Sequence, residues 1–301
     1  MLLSVRSELA KAAKWDDRFA QAYCNCWQNK DCACGEDYDV IEWSWEKKND
    51  SCYARISEDR KIIWFHPQRS AGTAVVKGDT PLLHNHHYYW EIKIMSETFG
   101  TDVMVGVGSD KMDATNSQKF LSFLGNDKQS YGLSYKGALH HEGKVCIETQ
   151  GFCGGALVGV RLDMWQGTLE YYVNRKPQGI SFYNLRCHSE LYPMVSATAT
   201  GIVMKLTYAA SWRASLFVDA AKILAASLTN KVRDRIPPGL RFPLKSYFWL
   251  TMPTDGKVVK EDNPKPGAYK DLAYGIRRQL RMRPLKPRRP RRSGAPLLPF
   301  L

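Results

Sequence analysis

The sequence predicts an all-β fold, an antiparallel β-sandwich followed by a small helical segment, and three observations predict it. Short runs rich in Val, Ile, Tyr and Trp recur between turn residues: Lys61–Phe65, Thr73–Val76, Tyr88–Ile94, Val103–Gly108, Leu157–Leu162, Thr168–Val173 and Met204–Tyr208. In Tyr89-Trp90-Glu91-Ile92-Lys93-Ile94 the alternation places Trp90, Ile92 and Ile94 on one face and Glu91 and Lys93 on the other. No helical pattern interrupts these runs, which argues against a parallel sheet with crossover helices.

Four stretches follow in order. Residues 1–35 form an Ala-rich helical stretch and then a Cys-rich segment, and residues 36–208 hold the sandwich. Within 212–252 the period changes: Leu216, Ala220, Ile223, Leu224 and Leu228 fall on one stripe of a helix. Ser215 is its N-cap, and Asp219 complements the helix dipole in the first turn. Pro237-Pro238-Gly239 then breaks the chain direction. About forty residues hold too little area for a core of their own, so this segment needs a partner surface. Residues 253–301 read as a flexible basic tail, as residues 1–35 read as a flexible leader.

The 301 residues carry 43 Lys plus Arg against 30 Asp plus Glu, a formal charge of +13. Nine of the sixteen residues from Arg277 to Arg292 are basic, so the rest of the chain carries only +4. The charge therefore belongs mostly to the tail. Aromatics at 12% and hydrophobics at 44% are enough for a buried core and exclude wholesale disorder. No run approaches the roughly 18 apolar residues of a membrane span. Glu8, Asp16 and Asp17 argue against a transit peptide, and the apolar segment of a secretory signal is missing. Eight cysteines are too few for a disulfide scaffold. The expectation is a protein of nucleus and cytoplasm with reduced thiols.

The sandwich contains phrases that come in a fixed order. Tyr88-Tyr89-Trp90-Glu91-Ile92 precedes Val105-Gly106-Val107-Gly108 and Ser130-Tyr131-Gly132-Leu133-Ser134. Val160-Arg161-Leu162-Asp163 with Gly167-Thr168-Leu169, Val173-Asn174-Arg175-Lys176 and Leu191-Tyr192-Pro193-Met194-Val195-Ser196 follow. Together they resemble a SPRY domain. Arg175 departs from the pattern, which has Gly in an Asn-Gly turn; Asn174 tolerates a left-handed backbone, so the hairpin is expected to survive with a different turn. Ser215-Leu216-Phe217-Val218-Asp219-Ala220 resembles the start of a SOCS box, with Ala220 where that family usually has Cys. Ile236-Pro237-Pro238-Gly239-Leu240 stands where its cullin-binding stretch begins, and Arg241–Leu250 matches only loosely. The pair of segments resembles the SPRY-domain SOCS-box family, and the Cys-x-Cys pairs, Gly100–Gly108 and Leu139-His140-His141 are similar to its third member.

The resemblance implies a substrate receptor of a cullin-RING ubiquitin ligase, with no catalytic residue of its own and no cofactor. The elongin B/C contacts would be Leu216, Phe217, Ala220, Ile223 and Leu224. Those to cullin-5, which brings the RING subunit, would be Ile236, Pro237, Pro238 and Leu240. The competing reading packs the helix on the sandwich and makes the chain a SPRY interaction module without ligase function. The target peptide would meet His66, Gln68 and Ser70, Phe120 and Phe123, and Thr198, Ala199 and Thr200. The aromatic wall and hydroxyl of better-known members are absent, because Ala199 stands for a Trp and Phe120 for a Tyr. A polar, Asn-bearing peptide remains the expected ligand. Phe120 and Phe123 are either pocket aromatics or ordinary core residues.

Other constellations point less far. Cys24, Cys26, Cys32 and Cys34 could ligate zinc, but paired Cys-x-Cys is not the usual Cys-x2-Cys spacing, and unligated thiols are the favoured reading. His84, His86, His87, His140 and His141 are expected in turns between strands, with no nucleophile or paired carboxylate at motif spacing. Cys146 and Cys153 lack a basic cluster or helix N-terminus that would activate a thiol. The tail from Arg277 to Arg292 is a nuclear-import signal, a nucleic-acid-associating arm or a solvated tail without a role. It holds no aromatics for base stacking, so sequence-specific nucleic-acid reading is not expected.

Overall fold

The computed structural model describes residues 41–47, 53–112, 118–147 and 149–227. Thirteen strands form two antiparallel sheets in this part of the chain. They are β1 (Ala54–Ile56), β2 (Ile62–Phe65), β3 (Ala74–Lys77), β4 (His86–Ile94), β5 (Val103–Gly108), β6 (Ser130–Ser134) and β7 (Ala138–His141). Then come β8 (Lys144–Ile147), β9 (Leu157–Asp163), β10 (Thr168–Val173), β11 (Lys176–Phe182), β12 (Tyr192–Ala197) and β13 (Ile202–Arg213). A 3-10 turn, Leu185–Cys187, precedes β12, and helix α1 (Leu216–Ser227) follows β13. The seven-stranded sheet has the order β1-β2-β13-β4-β9-β10-β11, and the six-stranded sheet the order β3-β12-β5-β6-β7-β8.

The runs expected from sequence are all strands. The last is longer than its apolar run, because β13 stays paired with β4 until Arg213 meets His86. That ladder and the β7–β8 ladder correct the placement of four histidines. His86 and His87 lie within β4, and His140 and His141 within β7, held by pairing with β13 and β8. Only His84 of the five lies outside a strand.

The main core fills the space between the sheets. Trp90, Ile92 and Ile94 meet Val103, Val105, Val107, Val158, Val160 and Leu206 there. Trp43 packs edge-on against Trp45 and Trp90, at centroid distances of 5.0 and 6.1 Å. A second apolar cluster lies on the outer face of the six-stranded sheet, where Phe123 and Leu124 join Met104, Tyr192 and Met194. The chain can lie flat there because Gly132 has no side chain. A Cβ on Gly132 would approach the Leu124 Cβ to 2.7 Å.

Glu91 and Lys93, on the outward side of β4, are buried as deeply as the core residues beside them. Arg175 reaches Glu91 with two hydrogen bonds, Nε to Oε1 at 2.8 Å and Nη2 to Oε2 at 2.9 Å. The β10–β11 hairpin does survive, but Arg175 does not avoid the left-handed region. Asn174 and Arg175 have φ of 52° and 62°, and Val173 pairs with Lys176 around them. A left-handed non-glycine residue costs about 1–2 kcal/mol. The bidentate pair to Glu91 offsets that strain by satisfying both buried charges.

Candidate functional site

Loops at one end of the sandwich converge on Asp102, at the entry to β5. Its carboxylate is buried and accepts hydrogen bonds from Ser134 Oγ at 2.6 Å, from the Val103 amide at 2.9 Å and from Ser122 Oγ. Its backbone ties down a third loop: the Asp102 amide donates to Thr198 Oγ1 at 3.0 Å, and the Thr198 amide donates to the Asp102 carbonyl at 3.1 Å. His140 Nε2 lies 4.0 Å from Asp102 Oδ2. Burial pushes the His140 pKa down, Asp102 works against that shift and Lys136 adds to it.

The first loop joins the same end. His66 is fully buried with φ of 46°, and its Nε2 donates to the Ala197 carbonyl at 3.1 Å. Burial lowers its pKa, and the neutral ring fits a residue whose Nδ1 has no hydrogen-bond partner. Ser70 Oγ donates to the Thr198 carbonyl. Thr73 Oγ1 donates to the Lys119 carbonyl at 2.6 Å, which sets the strand entry beside Phe120. Across the rim, Tyr135 OH donates to the Gly100 carbonyl at 3.2 Å and Lys136 Nζ to the Thr101 carbonyl at 2.6 Å.

The predicted peptide residues thus come from loops that are hydrogen-bonded to one another, but they divide by exposure. Gln68, Phe120 and Thr200 face solvent and Ser70 is half-buried. His66, Thr198 and Ala199 are buried beneath them as supports. Phe123 is 3% exposed within the second apolar cluster, so its ring is a core residue rather than a pocket wall. Sequence reasoning missed Asp102 and the Phe99-Gly100-Thr101 turn, whose Phe99 is 49% exposed. Their signal was weak: Gly-Thr-Asp before an apolar run reads as an ordinary strand entry.

Helix α1 makes the second candidate surface. The Val218 amide donates to Ser215 Oγ at 3.3 Å and the Asp219 amide to the Ser215 carbonyl at 3.0 Å, so Ser215 is the N-cap. Val218 is buried at 2% exposure, and Asp219 Oδ1 lies 3.9 Å from Nε2 of the buried His87 on β4. His87 Nδ1 faces Asp163 Oδ2 at 3.3 Å. These contacts use one side of the helix. Leu216, Phe217 and Ile223 are 87%, 49% and 71% exposed on the rest, with Ala220 exposed between them. Leu224 lies in the same helix. Ile236, Pro237, Pro238 and Leu240 lie outside the described residues, as do Cys24, Cys26, Cys32 and Cys34 and the basic tail. Among the described residues, no group of three or more His, Cys, Asp or Glu is placed to hold a metal ion, and no helix is long and apolar enough to cross a membrane.

Residues 87–209 match the SPRY domain family model. The chain is 35% identical to SPRY domain-containing SOCS box protein 3 of Xenopus tropicalis over 73% of its own length and 66% of that protein's. It is also 35% identical to the Xenopus laevis protein of the same name, over 74% and 63%. The chain therefore spans about two thirds or less of these relatives. The Drosophila melanogaster Protein gustavus is 30% identical over 52% of the chain and 59% of its own length. Among solved structures, the SPRY domain of human HERC1 is similar at 22% identity and a TM-score of 0.43, covering 52% of this chain and 92% of that one. With the SPRY phrases in their strands and two 35% identical relatives matched across nearly three quarters of its length, the chain belongs to the SPRY domain-containing SOCS-box protein family.

Proposed function

We propose that the chain is a non-catalytic substrate adaptor of an elongin B/C–cullin-5 RING ubiquitin ligase. Its SPRY domain captures a short, Asn-bearing peptide in a target at the Asp102 end, and its SOCS-box segment, 212–252, recruits the ligase. Ubiquitination and proteasomal degradation of the target follow from the RING subunit and its conjugating enzyme. The observation that carries this reading is the exposure of Leu216, Phe217 and Ile223 on a helix whose other side is fixed by Val218 and Asp219. A helix serving only the sandwich would bury its large apolar residues. This one presents them at spacing suited to a partner's groove. The names of the Xenopus relatives, SPRY domain-containing SOCS box proteins, support the same assignment. We also assign the basic run Arg277–Arg292 as a nuclear-import signal, which places the adaptor in nucleus and cytoplasm.

A pull-down with purified elongin B/C tests it. The full chain should retain the pair, and Leu216→Ala should lower retention at least ten-fold while thermal unfolding of the protein is unchanged. Equal retention by the variant, or none by the parent chain, would refute the ligase reading.

A further inference from the structure

Strand β8 is built inside out. It is the edge of the six-stranded sheet, and its residues alternate Lys144, Val145, Cys146, Ile147. Cys146 pairs with Leu139 of the main core, so the side of β8 bearing Cys146 turns inward. Val145 and Ile147 pair with His140 and Ala138 and lie on the outer face, where they are 56% and 77% exposed. Burial normally sets the register of a strand, and a slip of one residue would have reversed this choice. Edge strands are usually blunted with charge. Here Lys144 pairs with Glu142 at 2.9 Å, and the two aliphatic residues beyond it have no such cover.

The exposed pair continues the peptide site. Across one end of the sheet, Ala197 pairs with Val103, Met104 pairs with Ser134, and Ala138 pairs with Ile147. Ile147 thus stands at the same end as Thr198, Asp102 and Lys136, and Val145 stands beside His140, whose ring neighbours the Asp102 carboxylate. From β12 to β8 is four strand steps, about 19 Å at about 4.8 Å each, which an extended peptide covers in about six residues.

We propose that Val145 and Ile147 form an apolar far end of the peptide site, receiving an aliphatic or aromatic side chain of the same target about six residues from the one held beside Phe120 and Thr200. The inference rests on the peptide-capture reading and deepens it: the ligand class becomes a two-part segment, a polar core with an apolar flank on one side. The flank adds area without a new pocket, and truncating its side chain should weaken binding about ten-fold.

The test is selection of phage-displayed twenty-residue peptides, fixed at a central Asn and otherwise random, on the full chain and on a V145S/I147S variant. The parent chain should enrich Ile, Val, Leu or Phe about six positions to one side of the Asn. The variant should lose that enrichment and keep the preferences next to the Asn. A double-mutant cycle on one selected peptide then follows. Replacing its flank residue by Ser should cost about ten-fold in affinity for the parent and nothing for the variant. Preferences confined to the centre, or an identical flank preference on both proteins, overturn the proposal while peptide capture stands. Failure of the parent to retain any peptide overturns both. A self-association of the parent that the variant abolishes, seen by ultracentrifugation without a flank preference, assigns the strand to a second copy and also overturns it.

Discussion

On the outer face of the seven-stranded sheet, burial is reached with charge. Glu91 holds Arg175, Arg161 Nη1 donates to Tyr172 OH at 3.0 Å, and Tyr172 OH donates to Glu170 at 2.9 Å. The outer face of the six-stranded sheet is closed instead by Phe123 and Leu124 against Met104 and Met194. Both faces lie under a candidate binding surface, α1 beside the first and the Asp102 loops at the rim of the second. A paired-charge face is rigid but unforgiving, because removing one partner strands the other without water. The apolar face tolerates looser packing, and there the polar groups of the candidate peptide site are held by a separate hub, Asp102.

The largest expected effect follows from the charged face. Glu91→Ala should destabilise the fold by about 3–5 kcal/mol, since it takes away the carboxylate that accepts two hydrogen bonds from the buried Arg175 guanidinium in a left-handed turn. Urea denaturation measures it. Replacing both residues by Leu and Met should recover much of the loss, as buried pairs are often replaceable together but not singly. A loss below about 1 kcal/mol for the single change would mean that water reaches this face and that the contrast between the faces is false.

A smaller effect, on the other side, depends on pH. Burial is the largest cause lowering the pKa of His66, His140, His141 and His188. His66 and His140 lie at the peptide end, and His141 and His188 lie in the Tyr131 cluster towards the other end of β6, where the Tyr131 ring stacks on His141 at 3.9 Å and its OH meets His188 Nε2 at 3.0 Å. A histidine with a depressed folded pKa binds fewer protons folded than unfolded between the two values. Its contribution is intact above the usual 6.5 and is lost as pH falls from there towards the folded value. Denaturant midpoints should therefore drop between about pH 6.5 and pH 5. Hydrogen exchange should show β6 and β7 losing protection before β9 and β10. The reverse order would shift the acid-sensitive element to the charged face.

What the sequence revealed and what it hid follow from the range of the interactions. The inward alternation of Trp90, Ile92 and Ile94 is local, and so is the helical stripe from Leu216 to Ile223. Both were legible. Glu91 and Lys93 alternate in the same way, yet their burial depends on residues such as Arg175, 84 positions away. The Asp102 hub draws on Ser122, Ser134 and Thr198, which lie 20, 32 and 96 positions off. Strands β7 and β8 were missed because His140 and His141 follow only two apolar residues in β7, and in β8 the run Val145-Cys146-Ile147 is too short and not polar on alternate positions. Nothing local distinguishes Phe120 from Phe123 either. That division is made by Gly132, which lets the segment around Leu124 settle on the sheet and takes Phe123 down with it.

The smallest effect on stability tests that last division most sharply. Phe120 is 54% exposed, so Phe120→Ala should leave the unfolding free energy within about 0.5 kcal/mol. If its ring is the aromatic contact of the peptide site, the same change should weaken binding of a selected Asn-centred peptide by about 1–2 kcal/mol, or roughly five- to thirty-fold. Phe123→Ala should do the opposite, lowering stability strongly and binding only in proportion to the protein unfolded, because its ring meets Met104 and Leu124 and not solvent. Isothermal titration beside urea denaturation separates the two. Should both variants lose stability alike, Phe120 would be core, and the peptide surface would have to be sought around Phe99 and Lys136 instead.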